Sequence, residues 1–475
     1  VTGLFVLDLA AAEGPAVRHV PWREEIPFAQ PWWWTAPIDR LPAGIQHVEA
    51  FAETLRSAVA RRVAHVFGGT CDQPRVGLLF SGGLDSTVLA ALAAEALPDG
   101  ETVELLNVAF DKAAPDRLTA LCSYEDLLAR FGPHRFRLIL CDVQESEVRD
   151  NELAICRLLG PQATHLDFNI AAALWFASRG EGHVCSPAFH EQPWWAAARA
   201  DEASVSAVQL EPLKPIEAPG APEPVPAEKV RCVACVLPAK PGCPHLTCKL
   251  CCRKLRQAAG DPDGWCKVHK VKAPKHEGAG AEEEQDGKAT AAAPELDLSA
   301  LRCSASGGAV PEKPVRAASR VLLVGTGADE LLGGYSRHKT ARVKRGADGT
   351  RSEMLKDLHR LWSRNLGRDD RIIADHGREA RHPFLDDGVL RFVGSLPIEL
   401  LAYGPGGDGD PSPDKWMLRE MAAARGLGAC SLFKKRAIQF GSRIAKQSNI
   451  WHAGSNRQVR GDMAYCALAE DDGTG

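Results

Sequence analysis

Residues 76–87 read Val76-Gly77-Leu78-Leu79-Phe80-Ser81-Gly82-Gly83-Leu84-Asp85-Ser86-Thr87. The first five are an apolar run of buried-strand length. Two glycines follow Ser81, and then an Ala/Leu-rich helical segment runs from Val88 to Ala96. Val103 to Phe110 is a second apolar run. Strand, glycine turn, helix and strand make a βαβ unit, which predicts an α/β fold: a parallel sheet with right-handed crossovers and helices on both faces.

The turn itself has a chemistry. Glycines let a backbone turn tightly and come close to a ligand. A helix start presents free N–H groups and the positive end of the dipole, so an anion is favoured there. Ser81, Ser86 and Thr87 add hydroxyl donors. The Gly-Lys-Ser/Thr ending of a Walker A loop is absent. The loop therefore suits a leaving pyrophosphate, and Ser81, Gly82, Gly83, Asp85 and Ser86 are the expected phosphate-binding residues.

Outward from this unit, Val48, Phe51, Leu55, Val59 and Val63 recur at three or four residues, predicting a helix from His47 to His65. Residues 149–180 read as helical. Arg320 to Val324 is another buried strand, ending at Gly325-Thr326-Gly327-Ala328-Asp329-Glu330. Helical patterns return at Ser352–Asn365 and Lys415–Arg425. Residues 1–48 carry six prolines and the run Trp32-Trp33-Trp34, read as a lead-in packing on the main domain. Residues 211–317 change character to Pro, Ala, Gly, Lys and Glu, and Ala279–Asp286 is expected to be disordered. The predicted organisation is thus a lead-in (1–48), a domain in two parts (49–210 and 318–445) split by an insertion (211–317), and a tail (446–475).

The chain has 475 residues, 45% hydrophobic and 25% charged, ordinary for a globular protein with a large core. Its net charge of -4 argues against a basic nucleic-acid binder as a whole, and nucleic acid is not the expected partner. No apolar run reaches the length of about 18 residues that a membrane helix needs. The start lacks the pattern of a signal peptide.

Seven of the 15 cysteines fall between Cys232 and Cys266. Cys232, Cys235, Cys243, Cys248, Cys251, Cys252, Cys266 and His269 include three pairs with two intervening residues. Such pairs share a tetrahedral zinc, and this many ligands suggests two sites. Without metal so short a Pro/Lys-rich segment would scarcely fold. Clustered thiols with no secretion signal point to a reducing compartment, the cytoplasm. The module is read as a knuckle for a protein partner.

The residues from Ser81 to Thr87 resemble the signature of the PP-loop ATP pyrophosphatases. Three more segments resemble the asparagine synthetase family within that superfamily: Leu323 to Tyr335, Arg378 to Asp386, and Asp414 to Arg419 followed by Lys434 to Gly441. Leu106–Phe110, Trp175–Gly180, Tyr335–His338 and Ser363–Arg371 are similar to the asparagine synthetase domain-containing proteins. The resemblance implies an adenine nucleotide alpha hydrolase-like fold with a helical C-terminal part. It implies ATP, split to AMP and pyrophosphate with Mg²⁺, and an acceptor carboxylate (aspartate, with ammonia) converted to an amide.

By that resemblance Phe80 and Val108 flank adenosine, and Val324 and Gly325 approach the nucleotide. Asp85, Asp329 and Glu330 hold Mg²⁺, and Lys415 neutralises the leaving pyrophosphate. Arg381 and Asp386 are open to a second reading as structural ties.

Three departures matter. The family carries Glu where this chain has Thr326, and a hydroxyl is no general base at neutral pH without help. The family's acceptor-site Arg has no counterpart at Ala171–Ala173. The family's glutaminase half begins with a nucleophilic Cys, whereas this chain begins Val1-Thr2, and the lead-in is expected to be a remnant of that half. Three readings follow: an AMP-forming amide synthetase, a degenerate ATP-binding protein that docks a partner, and a tRNA-modifying PP-loop enzyme.

Overall fold

The computed structural model describes residues 3–8, 16–21, 45–64, 66, 74–159, 163–192, 195–196, 198–199, 314–403, 414–453 and 461–465. The chain divides into two units, 1–213 with 293–475, and 214–292. The second unit lies outside the described residues. So do the eight expected zinc ligands from Cys232 to His269, the acidic stretch 279–286 and the Trp32–Trp34 run.

The lead-in contains regular structure that its prolines did not suggest. Strands β1 (Gly3–Asp8) and β2 (Ala16–Pro21) pair antiparallel, with Gly3 opposite Pro21. Pro21 ends β2, where a missing N–H costs least. Helix α1 (Ile45–Val63) begins slightly before the expected His47 and buries the predicted stripe Val48, Phe51, Leu55, Val59 and Val63.

The sheet elements follow in order. Strand β3 (Val76–Leu79) leads to α2 (Leu84–Ala96) and β4 (Val103–Ala109). Helix α3 (Pro115–Phe131) then precedes β5 (Phe136–Asp142). Helices α4 (Glu145–Asp150), α5 (Glu152–Leu159) and α6 (His165–Arg179) precede β6 (Glu181–Val184). After the gap come β7 (Val315–Arg316), β8 (Val321–Leu323), α7 (Ala328–Leu332) and α8 (Ser336–Leu361). A π-helical turn (Trp362–Leu366), α9 (Gly367–Ala374), β9 (Glu379–Arg381) and α10 (Asp387–Gly394) come next. Helices α11 (Trp416–Ala424), α12 (Gly428–Leu432), α13 (Ile438–Gly441) and α14 (Ile444–Ala453) complete the described chain.

Seven strands form one sheet in the order β7-β6-β5-β4-β3-β8-β9. The sheet is mixed, which corrects the all-parallel expectation. Strands β5, β4, β3, β8 and β9 are parallel, whereas β6 is antiparallel to both β5 and β7. The reason is local. Only Gly180, at φ 68, separates α6 from β6. Val184 pairs with Ile139 and His183 with Leu140, so Glu181 enters at the carboxyl end of β5 and the strand can only run backward.

Alternation along the strands feeds two apolar clusters, as a period of two requires. Leu105, Leu138 and Leu323 join Phe51, Leu89 and Leu121 of α1–α3 on one face. Leu106, Ile139 and Leu322 join Phe168, Phe176 and Ile372 of α6 and α9 on the other. Helices thus cover both faces, as expected. Chain order reverses at β3, which has β4 on one side and β8 on the other. That is the switch point where ligands sit in open α/β sheets, outside the carboxyl strand ends. Among the described residues no helix is long and apolar enough to cross a membrane.

Candidate functional site

A cleft of about 640 Å³ opens at this switch point. Phe80 follows β3, Val108 lies in β4, and Val324 and Gly325 follow β8; all four line the cleft. Ser81, Gly83, Asp85 and Ser86 line it between β3 and the first turn of α2. Thr326, Asp329, Glu330 and Lys415 line it from the other side. Of the expected catalytic and nucleotide-binding residues, all of them among the described ones, only Gly82 is not on the wall. It sits at φ 72, and a Cβ there would collide with the Ala120 backbone of α3. Its role is to let the loop pack on that helix.

Helix α3 braces the loop by hydrogen bonds that no local pattern announced. Thr119 Oγ1 donates to Ser81 O at 2.8 Å, and Ser123 Oγ donates to Gly82 O at 2.6 Å. Asn107 Nδ2 donates to Phe80 O at 2.8 Å and to Asp116 O at 3.2 Å. Within the loop, Gly83 N–H donates to Ser81 Oγ at 3.2 Å. The loop is preorganised, with the α2 N-terminus facing the cleft.

The charged centre is built on Lys415. This residue immediately precedes α11 in a left-handed conformation (φ 58) and is 2% exposed. Its Nζ donates to Asp85 Oδ1 and Oδ2 at 2.7 and 2.6 Å and lies 2.6 Å from Asp329 Oδ1. Lys435 Nζ lies 2.5 Å from Asp329 Oδ2. A Cβ on Gly334 would collide with the Asp329 carboxylate and the Lys415 side chain, so only glycine leaves room for this cluster.

Burial by itself would raise the Asp329 carboxyl, but the ammonium charges of Lys415 and Lys435 hold it well below the usual range. Burial would lower the Lys415 ammonium, yet Asp329 and Asp85 hold it above its ordinary value. Asp329 and Lys415 stay charged because they are together. Glu330 differs: burial, and then the Asp329 charge, push its carboxyl up. Its Oε1 accepts from the Tyr335 hydroxyl at 2.6 Å.

No group of three or more His, Cys, Asp or Glu among the described residues could hold a metal alone. Magnesium typically takes one or two carboxylates and completes its shell with phosphates and water. Asp85 and Asp329, converging on one point, offer that donor set.

Sequence reasoning missed several wall residues. Asp116, from α3, faces Arg436 across 3.7 Å. Tyr335 and Lys435 stood inside quoted motifs without a role. Arg368 Nη1 lies 3.0 Å from Asp167 Oδ1, so a buried arginine does reach the wall near Thr164–Asp167. It comes from α9, 201 positions away from Asp167, and not from the neighbourhood of Ala171–Ala173. Arg381 and Asp386 take the structural reading. Asp386 accepts from Arg61 and Arg62 of α1 and caps α10 through Gly388 N at 2.9 Å, while Arg381 donates to Arg62 O.

The sequence profile described as asparagine synthase matches residues 50–127 and 341–440. Both matched segments are thus similar to the asparagine synthase family. The phosphate-loop residues fall in the first matched segment, and Lys415 and Lys435 in the second; the Thr326–Glu330 turn lies between them. The chain is 28% identical over 467 residues to asparagine synthetase domain-containing protein 1 of Homo sapiens, covering 86% of this chain and 53% of that protein. It is 23% identical over 410 residues to asparagine synthetase domain-containing protein YML096W of Saccharomyces cerevisiae, covering 83% of this chain and 52% of the relative. A shorter stretch of 80 residues is 46% identical to the putative asparagine synthetase [glutamine-hydrolyzing] 1 of Methanocaldococcus jannaschii, covering 17% and 15%. The likeness to asparagine synthetase domain-containing proteins extends over most of this chain, which spans about half the length of those relatives.

Proposed function

We propose that the cleft binds ATP with Mg²⁺ and passes its adenylyl group to an acceptor carboxylate, which ammonia then converts to an amide. Aspartate, giving asparagine, is the acceptor the family implies. The observation that carries this reading is the Lys415 ammonium held between Asp85 and Asp329, beside the Ser81 loop. A carboxylate oxygen attacks the α-phosphorus, and the bond to the bridging oxygen of pyrophosphate breaks. The loop amides and the α2 N-terminus bind the leaving pyrophosphate, and Lys415 and Lys435 offset its charge. Asp85 and Asp329 would hold Mg²⁺, which supplies further charge neutralisation on the phosphates. Ammonia then attacks the acyl carbon, AMP leaves, and a proton is released to solvent.

A second reading has its own observation. Thr326 lines the cleft where the family carries Glu, which favours a protein that binds ATP and no longer makes the amide. The deciding experiment measures AMP and pyrophosphate release with Mg-ATP and ammonium, with and without aspartate. Aspartate-dependent release supports the synthetase. ATP binding with no such release supports the second reading.

A further inference from the structure

Helix α8 is not straight. Asp357 Oδ2 accepts from Arg337 Nε at 2.6 Å and meets His338 Nε2 at 2.8 Å, 20 and 19 positions upstream. In a continuous helix residues so far apart would stand about 28 Å from each other. Arg345 and Glu353 also meet, at 3.0 Å. The chain doubles back at Gly346, whose φ of 68 and ψ of -159 break the helix. The result is a helical hairpin with two arms side by side.

This hairpin carries eight Lys and Arg against three carboxylates, in a chain whose net charge is -4. Of those carboxylates Asp357 is buried and already paired. Lys339, Lys344, Arg345, Lys356 and Arg360 are exposed, on both arms. Lys339 and Lys344 make no ion pair among the described residues. An open groove along the second arm is lined by Arg351, Lys356, His359 and Arg360 together with a single carboxylate, Asp348, and Arg360 also lines the cleft. Directly after it stands Trp362, 75% exposed, in the π-helical turn that also carries Arg364 and Asn365 to the cleft wall.

We propose that this hairpin and its π turn form a docking surface for single-stranded RNA leading to the mouth of the cleft. The cations match a phosphate chain, whose neutralisation releases counterions. An exposed indole, with Arg360 and Arg364 two positions to either side in the sequence, is a stacking platform for an unpaired base. The Asn365 amide, three positions on at the cleft wall, can meet a 2′-hydroxyl, which DNA lacks. Overall acidity hid this surface because net charge does not report where the charges fold. The inference stands independently of whether an amide is made.

The test is fluorescence anisotropy of a labelled oligouridylate with the whole chain across a salt series. RNA should bind, with affinity falling as salt rises. The triple variant Lys339→Glu, Lys344→Glu, Lys356→Glu should bind at least about tenfold more weakly, with a shallower salt slope. Trp362→Ala should weaken RNA but not polyglutamate. ATP-induced thermal stabilisation serves as a folding control and should persist in both variants. Unchanged RNA affinity in the triple variant would overturn the proposal and point to the basic Cys-rich insertion. Equal competition by polyglutamate would overturn it in favour of an acidic protein, and tighter binding of the matching DNA would overturn the choice of RNA.

Discussion

Lys415 and Asp85 are 330 positions apart in the chain, and the Lys415 ammonium donates to both oxygens of the Asp85 carboxylate. Asp329 holds the same ammonium from a third segment. The centre is therefore a tertiary product, and its charges depend on one another.

Replacing Lys415 with Met should remove one charge and leave the buried Asp329 carboxylate and the half-buried Asp85 carboxylate without it. Breaking a buried pair this way typically costs about 3 kcal/mol or more. The variant should melt earlier, and its ATP-dependent pyrophosphate release should fall at least tenfold, roughly 1.4 kcal/mol in the barrier. Thermal melts and the pyrophosphate assay check the two effects separately. Full activity with an unchanged melting point would show that Lys415 is idle.

Thr326→Glu should raise aspartate-dependent turnover. The position already lines the cleft, and the substitution supplies the carboxylate that a hydroxyl cannot replace as a base. An increase of about a hundredfold lies at the low end of what general-base catalysis contributes. If the variant binds ATP normally and still shows no aspartate dependence, the acceptor is another compound or no acceptor is used.

Stability should fall as the solution is acidified from about 6.5 to about 4. Burial, and then the Arg62 charge, push the His382 imidazole down to about 4, and burial likewise pushes His376 down to about 4. In that window the unfolded chain takes up protons that the folded chain refuses, so acid favours unfolding. Asp329 adds to the loss at the acid end: its lowered carboxyl stabilises the fold above the ordinary carboxylate range, and protonation removes that contribution. His382→Gln should flatten the upper part of the profile. Denaturant midpoints across the pH range would show it, and an unchanged slope in the variant would assign the effect elsewhere.

The Cys-rich insertion should carry zinc, two ions for the ligands between Cys232 and His269. Metal analysis of chain purified without added zinc, with thiol titration before and after chelation, would count them. Fully reactive thiols before chelation, with no bound metal, would refute the module.

Some of this molecule was legible in the chain alone. The run Val76–Phe80, the glycines after Ser81 and the Ala/Leu helix announce a βαβ unit, because strand period, turn chemistry and helix composition are local properties. The stripe Val48–Val63 announced α1 for the same reason, and the motif residues placed Asp85, Thr326 and Lys415 on the list of candidates. The rest was not local. The backward course of β6 depends on where α6 leaves the sheet. The hairpin at Gly346 shows itself only when Arg337 meets Asp357. Bracing of the loop by Thr119 and Ser123 requires α3 to pack beneath it, and Arg368 reaches Asp167 only because α9 lies against α6. Periodicity and turn residues encode each element, whereas the site's charges are fixed by burial and by partners that packing brings from hundreds of residues away.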